Sequence, residues 1–151
     1  LGDVYKRQAT VNLSATASEA LERARAAGQL AEGKLLYEEV LSQELTQFAP
    51  YKAELSEAAR EALKAFAARL KEENENVFLE IQGHTDRSGS PARNLKISQA
   101  RAEAVRAQLN AEGIPLHRMS VMAYGDRKPV ADNATPEGRA KNRRVTIVVL
   151  K

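Results

Sequence analysis

Cysteine is absent, which removes disulfide staples, thiolate-held structural zinc and a thiol nucleophile from consideration. The compartment stays open, because a chain without cysteine serves equally well in the cytosol and the periplasm. No apolar run approaches the ~20 residues that a membrane-crossing helix needs. The N-terminus lacks the ordered basic, apolar and small-residue blocks of a secretory signal. Aromatic residues make up only 5% of the chain and do not interleave with its basic cluster, which argues against stacking on nucleic-acid bases. Nor is the charge one-sided: 23 basic residues interleave with 20 acidic ones, and a formal net charge of +3 is no nucleic-acid footprint. No GxSxG, HExxH or phosphate-loop pattern occurs, so an enzyme has little support, and no catalytic residue, metal site or cofactor is expected.

What is present describes one globular domain: 151 residues, 43% hydrophobic and 28% charged, enough for a single core and too few for two. Residues Leu1–Gln8 do not join the pattern that follows and read as a scar, a fragment edge or a frayed end. From about Val11 to Gly33, Leu13, Ala17, Ala20, Ala24, Ala27 and Ala31 recur at helical spacing. So thin a stripe fits either a stalk that self-associates as a coiled coil or a helix packed on its own domain. Residues 1–33 are read as a tail and Ala-rich helical linker, and 34–151 as the compact domain.

Within 34–151, Leu35–Leu45 has strand character and Pro50 ends it. Ser56 caps a helix whose face is Leu63, Phe66, Ala67 and Leu70. Val77, Leu79 and Ile81 alternate toward Gly83 as a second strand. His84–Arg93 is a polar loop, and Leu95–Glu112 a helix with Ala100, Ala104, Val105 and Leu109 on adjoining faces. Met119–Gly125 is a third strand, Asp126–Asn142 a long loop, and Val145, Ile147 and Val149 a fourth strand. The order β-α-β-α-β-β predicts an α+β two-layer sandwich: a mixed sheet with helices on one face, preceded by the N-terminal helical stalk.

The chemistry gathers after the second strand. Asp86 lies just past the carboxyl edge of that strand, where sites in layered folds are built. Asn94, Ile97, Arg101 and Val105 share a helix face by their spacing. If the loop folds back, the Asp86 carboxylate and the Arg101 guanidinium line one cleft. Two meanings are open: a structural salt bridge, contributing ~0–1 kcal/mol where partly exposed, or a receptor for a zwitterion. In the second, Asp86 takes an ammonium and Arg101 a carboxylate.

The ordered blocks Gly83-His84-Thr85-Asp86, Gly89, Asn94, Ile97-Ser98-Gln99-Ala100-Arg101-Ala102, Val105, Tyr124-Gly125, Gly138-Arg139 and Asn142-Arg143-Arg144-Val145 resemble the OmpA C-terminal-like family of wall-binding domains, over roughly Lys34–Lys151. The resemblance implies non-covalent binding of peptidoglycan through the diaminopimelate of its stem peptide, with Asp86 on the ammonium and Arg101 on the carboxylate. It implies supporting places for Thr85, Asn94, Ile97, Asn142 and Arg143. It further implies a periplasmic location, with attachment to the outer membrane of a Gram-negative bacterium only through an upstream anchor outside this sequence. The alternative is a stator- or secretion-type interaction module of the same fold that binds wall weakly. Two positions depart from the family pattern: Tyr51 stands where an Asp or Asn is usual, and Ala123 where the turn usually has Gly. Beside Asp86, His84 has too few potential ligand partners for a metal and reads as structural.

Overall fold

The computed structural model describes residues 14–41, 48, 51–73 and 76–151. Helix α1 (Ala15–Ala26) starts at Ser14, whose hydroxyl accepts from the Ala17 N–H at 3.2 Å. Strand β1 spans Leu35–Leu41, and the remainder of the segment expected to Leu45 lies outside the described residues. Helix α2 (Glu57–Glu73) begins where Ser56 accepts from the Ala59 N–H at 3.1 Å. Strand β2 (Phe78–His84), helix α3 (Pro91–Ala111), strand β3 (Met119–Gly125), the short helix α4 (Pro136–Asn142) and strand β4 (Arg144–Leu150) complete the chain.

Two boundaries depart from the sequence reading for one reason. Helix α3 starts four residues before the expected Leu95, and α4 interrupts what reads as a loop, because Ser90-Pro91 and Thr135-Pro136 each supply a hydroxyl cap and a proline in the first turn. Proline lacks only an N–H that a helix start leaves unused, so the pair initiates a helix.

The sheet order is β1-β4-β2-β3. Strands β2 and β3 are parallel, whereas β4 runs antiparallel to both β1 and β2 and lies between them. Strands β1 and β2 therefore point the same way, as a strand-helix-strand unit requires, but the last strand of the chain separates them. The sheet is mixed and the fold α+β, in the element order expected but for the added α4.

Alternation sends Leu79 and Ile81 of β2 and Val145, Ile147 and Val149 of β4 to one face. There they meet Leu63, Phe66, Ala67 and Leu70 of α2 and Ala102, Val105 and Leu109 of α3. Ala100 is exposed, so the buried face of α3 is rotated from the one expected. Full burial of such side chains contributes about 1.5–3 kcal/mol each before the entropy cost of ordering them.

The opposite face is covered as well. Phe78, Val148 and Leu150 pack against Ala17, Ala20 and Ala24 of α1. Of the two placements open for this helix, the structure has the one on its own domain, and the alanine stripe is used there. A charged contact fixes the docking: Arg23 donates to both oxygens of Glu80, at 3.1 Å from Nε and 2.5 Å from Nη2. Its Nη2 also donates to the Tyr124 hydroxyl at 2.7 Å.

Candidate functional site

Three elements converge at the carboxyl edge of β2. Gly83 lets them do so: a Cβ there would stand 1.9 Å from the Ser98 carbonyl oxygen, so only a residue without a side chain lets β2 touch α3. Ser98 adds a tie to the next strand, its hydroxyl accepting from the Gly125 N–H at 2.9 Å while donating to the Leu95 carbonyl. The Thr85 N–H in turn donates to the Gly125 carbonyl at 2.8 Å. The chain then turns at Asp86, directly over the first turns of α3.

A small cleft lies there, lined by Tyr51, Thr85, Asp86, Asn94, Ile97, Arg101 and Arg143. Of the residues expected at the site, the structure brings together six. Asn142 is the exception. It is fully buried behind the cleft, where its Oδ1 accepts from the Val130 and Ala131 N–H groups and its Nδ2 donates to Ala131 and Asn133. Asn133 Oδ1 accepts in turn from the Arg87 N–H at 3.1 Å, so Asn142 steadies the Asp86 loop without lining the cleft.

The Asp86 carboxylate is not bonded to Arg101 as a simple pair. Its Oδ2 accepts from Arg143 Nη1 at 2.7 Å and its Oδ1 from the Ser88 N–H at 2.9 Å. Burial alone raises the Asp86 pKa, but the Ser88 N–H and the Arg143 guanidinium outweigh it and hold the carboxyl below its ordinary value. Arg101 is only 1% exposed. Its Nε donates to the Lys52 carbonyl at 2.8 Å and its Nη1 to the His84 carbonyl at 3.2 Å, with the guanidinium 4.9 Å from the Phe48 ring centroid. Desolvation, then the neighbouring Arg143 charge, lower its pKa to about 10, with Asp86 opposing. One carboxylate and two guanidiniums thus share a water-poor pocket with a formal excess of one positive charge.

Phe48 escapes a sequence reading, whereas Tyr51, noted there only as a departure from the family pattern, lines the cleft. Phe48 is buried beneath Arg101, and its carbonyl accepts from Arg143 Nε at 3.1 Å. The two arginines therefore staple the segment before α2 to the site. An aromatic close before Pro50 is the one local signal of this, and it is weak.

His84 points away from the cleft, its ring stacked on Tyr124 with centroids 5.2 Å apart and planes at 7°. Neither ring nitrogen has a hydrogen-bond partner among the described residues. Desolvation, helped by the Arg144 charge, lowers its pKa to about 3, so the ring is neutral at physiological pH. Among the described residues no group of three His, Asp or Glu could hold a metal ion, and no helix is long and apolar enough to cross a membrane. A larger groove of about 860 Å³, between the start of α1, β1 and the segment 127–130, contains none of the expected site residues.

Comparison with known proteins bears on this arrangement. The chain is 42% identical over 97 residues to the peptidoglycan-binding protein ArfA of Mycobacterium tuberculosis, covering 64% of this chain and 29% of that protein. It is 53% identical over 66 residues to outer membrane porin F of Pseudomonas aeruginosa, covering 43% of this chain and 19% of that one. It thus spans less than a third of the length of either relative. The crystal structure of the peptidoglycan-associated lipoprotein from Burkholderia pseudomallei superposes with a TM-score of 0.61 at 33% identity, over 68% of this chain and 84% of that one. The model of the OmpA family matches residues 47–143, a stretch that takes in both Phe48 beneath Arg101 and Arg143 on Asp86, and the chain belongs to that family.

Proposed function

We propose that this domain binds peptidoglycan without turning it over, by grasping the diaminopimelate of an uncrosslinked stem peptide. The free end of that residue carries an ammonium and a carboxylate on one carbon. The observation that carries the reading is the set of buried Asp86, buried Arg101 and partly buried Arg143 around one cleft. A surface ion pair needs no such burial and contributes little. A buried carboxylate beside one buried and one partly buried guanidinium, by contrast, offers charge-assisted contacts of ~1.5–3 kcal/mol each to a ligand of matching charge. Asp86 retains acceptor capacity for an ammonium beyond its bonds to Ser88 and Arg143, and the excess positive charge favours the carboxylate end.

The site lies after Lys34, so the binding unit is 34–151. Helix α1 links it to an upstream part that holds the protein in the envelope, and the location is the periplasm of a Gram-negative bacterium with attachment to its outer membrane. Two relatives support an envelope role in kind: one is a peptidoglycan-binding protein, another an outer membrane porin.

The test is co-sedimentation with purified sacculi. The wild type should pellet with the wall, and free meso-diaminopimelate should release it. Asp86→Ala and Arg101→Ala should each weaken binding by roughly tenfold or more while circular dichroism stays native. Retention of a folded double variant at wild-type strength refutes the site.

A further inference from the structure

The cleft that holds Asp86, Arg101 and Arg143 is narrow. Its free volume is about 10 Å³, room for about one water at most. The head of an amino acid, with a nitrogen, two oxygens and their carbons, cannot enter unless a wall moves.

Most of the wall is pinned. Asp86 is held by Ser88 and Arg143, Arg101 by two backbone carbonyls, and Asn94 by the Asp86 carbonyl at 3.4 Å and the Asp126 carboxylate at 3.1 Å. Each of these side chains is nearly or fully buried. Tyr51 differs on every count. It is 42% exposed, and its backbone sits at φ +62°, the left-handed region that non-glycine residues seldom occupy. Its ring rests on the loop of Asp86: a Cβ on Gly89, itself at φ +84°, would lie 3.1 Å from Tyr51 Cε1. On that ring sits the guanidinium of the exposed Arg93, 4.3 Å from the centroid. Van der Waals contact and a cation–π contact at an exposed site are among the weaker restraints a wall can have.

We propose that Tyr51, with Arg93 on its ring, is the movable outer wall of the cleft and decides which ligands it retains. The proposal rests on the stem-peptide reading of that cleft. The ring swings out to admit the zwitterionic head and returns over the methylene chain behind it. A ligand with an apolar stem between its head and its peptide backbone is held, whereas a short amino acid gains nothing from the ring. An acidic side chain at the same position would add a charge contact; the phenol adds apolar cover and slower exchange.

Stopped-flow binding of a fluorescent diaminopimelate stem peptide tests this. Tyr51→Ala should accelerate both association and dissociation. Arg93→Gln, which removes the cation from the ring, should speed association by about two- to fivefold. Tyr51→Phe restores the ring and should bring the rates back toward those of the wild type. Unchanged rates in Tyr51→Ala overturn the proposal, as does a Tyr51→Phe variant that behaves like Tyr51→Ala, since the hydroxyl would then be the working group.

If the wild type binds no stem peptide at all, the reading of the cleft fails. The wall is then judged without ligand, from the fluorine resonance of 3-fluorotyrosine at Tyr51, assigned by its loss in Tyr51→Phe. Two exchanging ring environments that merge into one exposed environment in Arg93→Gln support the movable wall. A single static environment in both proteins overturns it.

Discussion

Replacing His84 by Phe isolates the cost of keeping a titratable ring in the sheet. The ring is 1% exposed, stacks on Tyr124, faces the Arg144 charge, and has no hydrogen-bond partner for either nitrogen among the described residues. Its pKa falls from 6.5 to about 3 on folding. Below pH 6.5 the unfolded chain therefore takes up a proton that the folded chain refuses, and stability must fall with pH until about pH 3. The slope approaches ~1.4 kcal/mol per pH unit, so between pH 7 and pH 4.5 the loss is about 2–3 kcal/mol. Phe keeps the stacking and cannot titrate. At pH 7 two small terms oppose each other: relief of an unsatisfied buried polar group at ~1–3 kcal/mol, and overpacking by the larger ring at ~1–3 kcal/mol. The neutral-pH difference therefore decides nothing. The pH dependence does, because every other titrating group is common to both proteins. Urea unfolding followed by circular dichroism at pH 7 and pH 4.5 should show the wild type losing about 2–3 kcal/mol more than His84→Phe. Equal losses would mean that His84 is protonated in the folded protein and that its environment is not the dry one described.

Gly83→Ala drives a Cβ into the Ser98 carbonyl, so β2 and α3 must separate; a loss of ~1–3 kcal/mol in urea unfolding, with weakened stem-peptide binding, is expected. Arg23→Met leaves the buried Glu80 carboxylate with its bond from Gln82 Nε2 but without the half-exposed cation, and should cost ~1–3 kcal/mol, whereas Arg23→Met with Glu80→Gln should recover much of it. Truncation after Gly33 leaves every cleft residue in place but uncovers Phe78, Val148, Leu150 and Glu80, so calorimetry should give a lower melting temperature while stem-peptide affinity is unchanged.

Local signals explain what could be read in advance. Ser56 with Leu63, Phe66 and Leu70 marked α2, and alternation marked β2 and β4, because caps and periodicity are short-range properties. The central place of β4 was not legible: pairing between β4 and β1 joins opposite ends of the domain, and nothing in either strand names its partner. Nor was the second covered face, because Val148 and Leu150 gain meaning only once α1 is laid on them. At the site, the motif residues Thr85, Asp86, Asn94, Ile97 and Arg101 lie on the loop after β2 and on α3, so spacing could foresee their convergence. That Arg143 rather than Arg101 bonds Asp86, that Phe48 lies beneath Arg101, and that the Tyr51 ring forms a wall depend on how distant segments meet.

The central claim is that Asp86, Arg101 and Arg143 form a receptor for a zwitterion rather than a structural cluster. The most direct measurement is calorimetric titration of the folded domain with two soluble stem peptides that differ only in carrying meso-diaminopimelate or lysine. Lysine presents the ammonium without the carboxylate on the same carbon. Losing one charge-assisted contact of ~1.5–3 kcal/mol corresponds to roughly tenfold or more in affinity, so the diaminopimelate peptide should bind at least about tenfold tighter. Equal affinity for the two peptides, or binding of the diaminopimelate peptide that survives Arg101→Ala undiminished, would contradict the account.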